Sequence, residues 1–128
     1  MKTATLPLRV RRGPSLVSTD TLSVGANLDV SSARRFARAV SRMIDRRPSY
    51  VIVDMAKMRN FDSSGFGSLI SGLKKFSDAG AEPVVVCKHS SARRLMDFAG
   101  VSRTFKVVDT MADARRALAD ATADALAS

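Results

Sequence analysis

Between Phe66 and Phe76 the apolar residues Phe66, Leu69, Ile70, Leu73 and Phe76 recur in steps of three and four. That spacing predicts one clean helical face, with Gly80 placed to end the helix. The stretch before it, "YVIVDMA", is apolar almost without interruption. It is too uniform for a strand with one wet face and predicts a central strand covered on both sides. "PVVVCK" reads as a second buried strand and "TFKVVD" as a third. Between and after these lie two further helices. "SSARRLMDFAGV" has Leu95, Met96 and Phe98–Ala99 turned inward and stops at Gly100, while "MADARRALADATADAL" closes the chain, capped near Thr110.

The first third is less regular. "LPLRVRRG" (Leu6 to Gly13) alternates apolar and basic residues, as a half-exposed edge strand does. "SLVSTDTLSVGANL" holds turn residues and then a short strand near Leu22 to Leu28. "DVSSARRFARAVSRMID" reads as a helix capped by Asp29 or a following serine. Its apolar positions are Ala33, Phe36, Ala37, Val40, Met43 and Ile44, and Pro48 enforces a break after it. Strand and helix then alternate three times, which implies parallel strands joined by crossover helices. The expectation is one α/β domain over residues 1–128: a mostly parallel central sheet, an N-terminal antiparallel edge strand and about four helices. Its core should span about 6–118, with the alanine-rich tail 119–128 prone to fray.

Composition narrows the setting. At 128 residues the chain can bury a core without staples. No apolar run approaches the length of a membrane span, and "MKTATLPLRVRRGPSL" is broken by charges and prolines where a secretory signal would be continuous. A cytoplasmic protein, monomeric or weakly dimeric, is expected. Cys87 has no second thiol to pair with and reads as a buried strand cysteine. The formal charge is +9. Its excess sits in Arg9, Arg11 and Arg12, then at helical spacing in Arg34, Arg35, Arg38, Arg42, Arg46 and Arg47. A solvated face is the plain reading, and a partner with an acidic surface would be steered toward it. Nucleic acid is disfavoured, because aromatic residues make up 5% and there is no Trp to stack on bases.

Chemistry concentrates at "KMRNFDSSGF", where the central strand hands over to its helix. Parallel sheets place ligand and partner sites at this edge. Asp62 or Ser63 can accept hydrogen bonds from the free N–H groups of the first turn, and capping alone explains the motif. A modification reading is equally physical: a serine here is displayed at the positive end of the helix dipole, where an added phosphate is tolerated. Other chemistries fall away. Asp54 closes a strand as a receiver aspartate does, but "LPLRVRRG" offers no acidic pair for magnesium, so Asp54 is expected to accept hydrogen bonds in a loop. His89 has no serine or carboxylate at a suggestive spacing, and no nucleophile elbow, Walker loop or dinucleotide fingerprint is present.

The segment from "VIVDMAKMRNFDSSGFGSL" through "LMDFAGV" to "KVVD" resembles the STAS domain of bacterial anti-sigma factor antagonists. The likeness extends from about Leu6 to Leu118 in the order of elements and includes the Asp-Ser-Ser-Gly core. Where relatives commonly show Gly-x-Leu-Asp before the first helix, this chain has Ala26-Asn27-Leu28-Asp29 with Gly25 one place earlier. The resemblance implies a non-catalytic STAS-like domain without cofactor or metal. It implies phosphorylation at Ser63, with Ser64 as the alternative, by a serine-kinase anti-sigma factor, and reversal by a metal-dependent Ser/Thr phosphatase. The unmodified form would occupy the kinase and free the sigma factor. Asp62 would orient the loop, Ser64, Gly65 and Phe66 would form the docking surface, and Arg59, Asn60 and Phe61 would border it. Met58 would add an apolar contact or pack in the core. The alternative is a STAS subunit of a lipid transporter or another signalling complex.

Overall fold

The computed structural model describes residues 18–88 and 90–127. The expected strand over Leu6 to Gly13, the arginines within it and His89 lie outside the described residues. In chain order the elements begin with β1 (Thr19–Ser23), β2 (Asn27–Leu28), α1 (Ala33–Asp45), β3 (Tyr50–Asp54) and β4 (Asn60–Phe61). They continue with α2 (Ser63–Asp78), β5 (Glu82–Val86), α3 (Ser91–Phe98), α4 (Val101–Thr104), β6 (Lys106–Val108) and α5 (Met111–Ala127).

Among the described residues four strands form a sheet in the order β1-β3-β5-β6, and β2 pairs with β4 in a separate small sheet. Every pairing among the described residues is parallel. β3 is central, with β1 on one side and β5 on the other. Its consecutive Val51, Ile52 and Val53 are all buried, which is why the sequence there shows no alternation. Val51 and Val53 face a core shared with α1, α2 and α3, built around Phe36, Val40, Leu69, Leu73, Phe76 and Met96. Ile52 faces the opposite layer, where Val84, Val86 and Ala114 of α5 meet it. Leu69, Leu73 and Phe76 are fully buried, each worth about 2 kcal/mol against exposure, so α2 is firmly seated.

α2 ends as the sequence leads one to expect. Gly80 takes φ +82, its N–H donates to the Ser77 carbonyl, and the Ala81 N–H reaches back to the Phe76 carbonyl at 2.8 Å. Those are the two bonds of a Schellman stop.

Several expectations are corrected. The single short strand near Leu22 to Leu28 is two, β1 and β2, separated at Gly25 with φ +85. The described residues form five helices, in keeping with the expected number of about four, the shortest being the single turn α4, which buries Val101 after the left-handed Gly100. Phe98 is 89% exposed and Ala99 is exposed as well. α3 turns Ala92 and Met96 inward, one helical turn apart, and two residues further on the helix has rotated Phe98 to the far side. Ala37 likewise lies just off the buried stripe of α1 and is exposed.

Candidate functional site at the start of α2

The chain enters α2 through a loop that is pinned twice. The backbone N–H groups of Arg59 and Asn60 both donate to the Ala26 carbonyl, at 2.7 and 2.9 Å, and the Asn60 amide donates to the Asn27 side chain. This registers β4 on β2, with Leu28 opposite Phe61. Asp62 then takes the N-cap position in an extended conformation. Its carboxylate accepts the Gly65 N–H at 2.8 Å, and its carbonyl accepts the Phe66 N–H at 2.8 Å. Of the two sequence candidates, Asp62 is therefore the cap.

Gly65 has a different role from the one its sequence suggested. It is buried, and a Cβ built on it would overlap the Leu28 carbonyl oxygen. The residue is glycine because the first turn of α2 presses against the backbone of β2. Gly65 is buried beneath the turn that carries the other residues of the expected docking face. Phe66 is half-buried and meets Phe61 edge to face, with ring centroids 6.2 Å apart. Both rings and Met58 pack against the main core.

Ser63 and Ser64 are exposed on the first turn, and neither hydroxyl has a hydrogen-bond partner among the described residues. They sit where backbone N–H groups point outward unsatisfied and the helix dipole is positive. Asn60, Arg59 and Asp62 are exposed beside them. The structure thus brings Asn60, Phe61, Asp62, Ser63, Ser64 and Phe66 to one corner, held at its base by Gly65. Asp54 keeps to a loop role, accepting the Ala56 N–H at 2.9 Å. Among the described residues no cluster of His, Cys, Asp and Glu could hold a metal, and no helix is long and apolar enough to cross a membrane.

The sequence reading missed the neighbour of this corner. The turn between β2 and α1 lies against Gly65, so Asp29 belongs to the same locality. Its carboxylate accepts the Ser31 hydroxyl at 2.7 Å and the Ser31 and Ser32 N–H groups at 3.0 and 3.1 Å. The Ser31 hydroxyl above all holds this carboxyl below the usual range. Val30, at the tip of the turn, is 75% exposed. "DVSS" carries the signal of an Asx turn, but nothing in it shows what the turn packs against.

A parallel sheet with helices on both faces, a capped helix start and an Asp-Ser-Ser-Gly corner define a class. The chain belongs to the STAS domain family, whose model matches residues 16–114. It is 25% identical to the anti-sigma-F factor antagonist RsfB of Mycobacterium tuberculosis over 93 residues, which is 73% of this chain and 75% of that protein. Its fold is similar to that of an anti-sigma factor antagonist from Mycobacterium paratuberculosis, with a TM-score of 0.65, 22% identity, and coverage of 76% and 82% of the two chains. It is also similar to a sulfate transporter family protein from Wolinella succinogenes, with a TM-score of 0.69, 15% identity, and coverage of 83% and 88%.

Proposed function

We propose that this protein is an anti-sigma factor antagonist acting as a phosphorylation-controlled partner switch in the cytoplasm. The observation that carries the reading is the pair of exposed, unbonded hydroxyls on a rigidly seated first turn of α2. A serine-kinase anti-sigma factor docks on the corner made by Asn60, Phe61, Asp62, Ser64 and Phe66 and transfers a phosphoryl group from ATP to Ser63. The Ser63 oxygen gains the P–O bond, ADP leaves, and the hydroxyl proton passes to a base of the kinase. The chain is substrate and ligand, and the catalysis belongs to its partners, the kinase and an opposing metal-dependent phosphatase.

The physics of the switch is local. Phosphate adds about −1.5 to −2 charges where the dipole is positive, so the isolated domain keeps its fold. A partner pressed on the same turn must bury that anion, which weakens binding by about a hundredfold or more. The RsfB likeness supports the sigma-factor reading; for a transporter subunit there is a shared fold and nothing further.

The test is phosphorylation by a candidate kinase with ATP, followed by site mapping by mass spectrometry. Phosphate on Ser63, its loss in Ser63→Ala and failed kinase binding by Ser63→Asp are expected. Phosphate on Ser64 would move the switch one residue. Phosphate elsewhere, together with undiminished binding by Ser63→Asp, overturns it.

A further inference from the structure

α1 carries a row of like charges that its own helix does nothing to neutralise. Arg34, Arg38 and Arg42 follow one another at steps of four, all exposed, and none has an ion-pair partner among the described residues. Like charges at that spacing destabilise a helix. Arg34 and Arg35 also occupy a first turn that contains no acid, where the dipole disfavours cations. Three arginines are ion-paired among the described residues, Arg46 with Asp20, Arg93 with Asp97 and Asp109, and Arg116 with Asp113. Arg34, Arg38 and Arg42 differ from the other unpaired ones in forming one row beside a groove.

A second irregularity faces this helix. Gly67 sits in α2, exposed, and a Cβ added there would meet nothing within 4 Å. Glycine lowers helix stability, and unlike Gly65 and Gly72 this one relieves no close contact. Gly67 borders an open groove of about 240 Å³ between α1 and α2. Phe36, Ala37 and Val40 form one wall, and Ser71 and Lys75 continue the other. Its volume is below the roughly 300–1,000 Å³ usual for drug-sized ligands. Its small-residue lip allows a backbone to approach closely. Unsatisfied charge beside unfilled space, each unfavourable in the lone domain, points to something that completes both.

We propose that the α1–α2 groove is a docking surface for an acidic amphipathic helix of a partner protein. Its apolar stripe lies over Ala37 and Gly67, and its flanking carboxylates meet Arg34, Arg38 and Lys75. Charge selects this occupant. Residues 1–17 of this chain contain Lys2, Arg9, Arg11 and Arg12 and no acid, so they are repelled. Duplex DNA would satisfy the arginines but has no apolar ridge to lie over the exposed Ala37 and Gly67. The inference is independent of any phosphate on Ser63.

The full chain is titrated with a labelled helical peptide bearing Glu on both flanks of a Leu/Ala stripe, and binding is read by fluorescence anisotropy. Saturable binding that weakens with salt is expected. Arg34→Glu with Arg38→Glu should weaken it about tenfold or more. Arg94→Glu with Arg115→Glu makes the same change in net charge away from the groove and should leave it unaltered. Gly67→Leu should abolish binding while the thermal melt stays cooperative. Amide chemical shifts of the unmutated protein give a readout without any variant: on peptide addition those of Ala37, Gly67 and Ser71 should move. No binding, equal binding of a scrambled peptide, of duplex DNA or of phosphatidylserine vesicles, or shift changes confined to other surfaces would each overturn the proposal.

Discussion

The glycines of α2 answer to different demands. Gly65 lies under the Leu28 carbonyl, and a Cβ on Gly72 would come within 2.8 Å of the Phe36 ring, whereas Gly67 faces open space. Alanine therefore has opposite effects at two positions that look alike in "SSGFGSL". Gly65→Ala should lose about 2–3 kcal/mol, because the backbone it strikes belongs to a paired strand. Gly67→Ala should gain about 0.5–1 kcal/mol from helix propensity. Urea midpoints of the two variants check this, and shifts of the same sign would show that the contact with Leu28 is not what holds the start of α2. The motif was legible as a helix start with displayed hydroxyls, since a cap and first-turn exposure are local properties. That its glycine serves packing was not, because the striking atom lies across the fold, in β2.

Among the elements, α3 is fastened more tightly than its short length suggests. Ser90 caps it by accepting the Arg93 N–H at 3.2 Å. The Arg93 side chain then donates to the Cys87 carbonyl at 2.6 Å, to Asp109 at 2.8 Å and to Asp97 at 3.2 Å. One guanidinium thus ties the β5–α3 connection to the one between β6 and α5. Both carboxylates are well exposed, at 51% for Asp97 and 44% for Asp109, so their ion pairs count for little and the carbonyl bond for more. Arg93→Met should cost about 1–2 kcal/mol. Arg93→Lys should restore under half of that, since an ammonium cannot span three acceptors as a planar fork does. Chemical denaturation of both variants decides; equal stability of Lys and Arg would refute the clamp. "SSARR" signalled a helix, yet nothing local separates Arg93, half-buried, from Arg94, exposed. The Phe98 error has a different cause: counting apolar residues overrode a helical period that already put Met96 and Phe98 on different faces.

At the scale of the molecule, two unequal layers share one sheet. α1, α2 and α3 cover one face, and α5 packs against Ile52, Val84 and Val86 on the other. The alternation of buried strands with helices was readable because parallel strands covered on both faces are continuously apolar. Assignment of helices to faces was not, because it depends on which strands become neighbours. Cys87 reports on the whole assembly: it is 1% exposed, and burial pushes its thiol up, so it reacts only when the domain opens. Labelling by a thiol reagent should be slower than in the urea-unfolded chain by about a thousandfold or more. Prompt labelling of the folded protein would contradict a closed core. The parallel pairing has a consequence in time. Thr19 lies opposite Tyr50, Tyr50 opposite Glu82 and Val84 opposite Lys106, so among the described residues no ladder of the main sheet can begin as a hairpin. Each waits for a helix-length loop to close, which sets folding nearer milliseconds to seconds than microseconds. During synthesis the apolar segment "YVIVD" must stand with one flank bare until β5 emerges, and that nascent stretch is where a chaperone would find its grip.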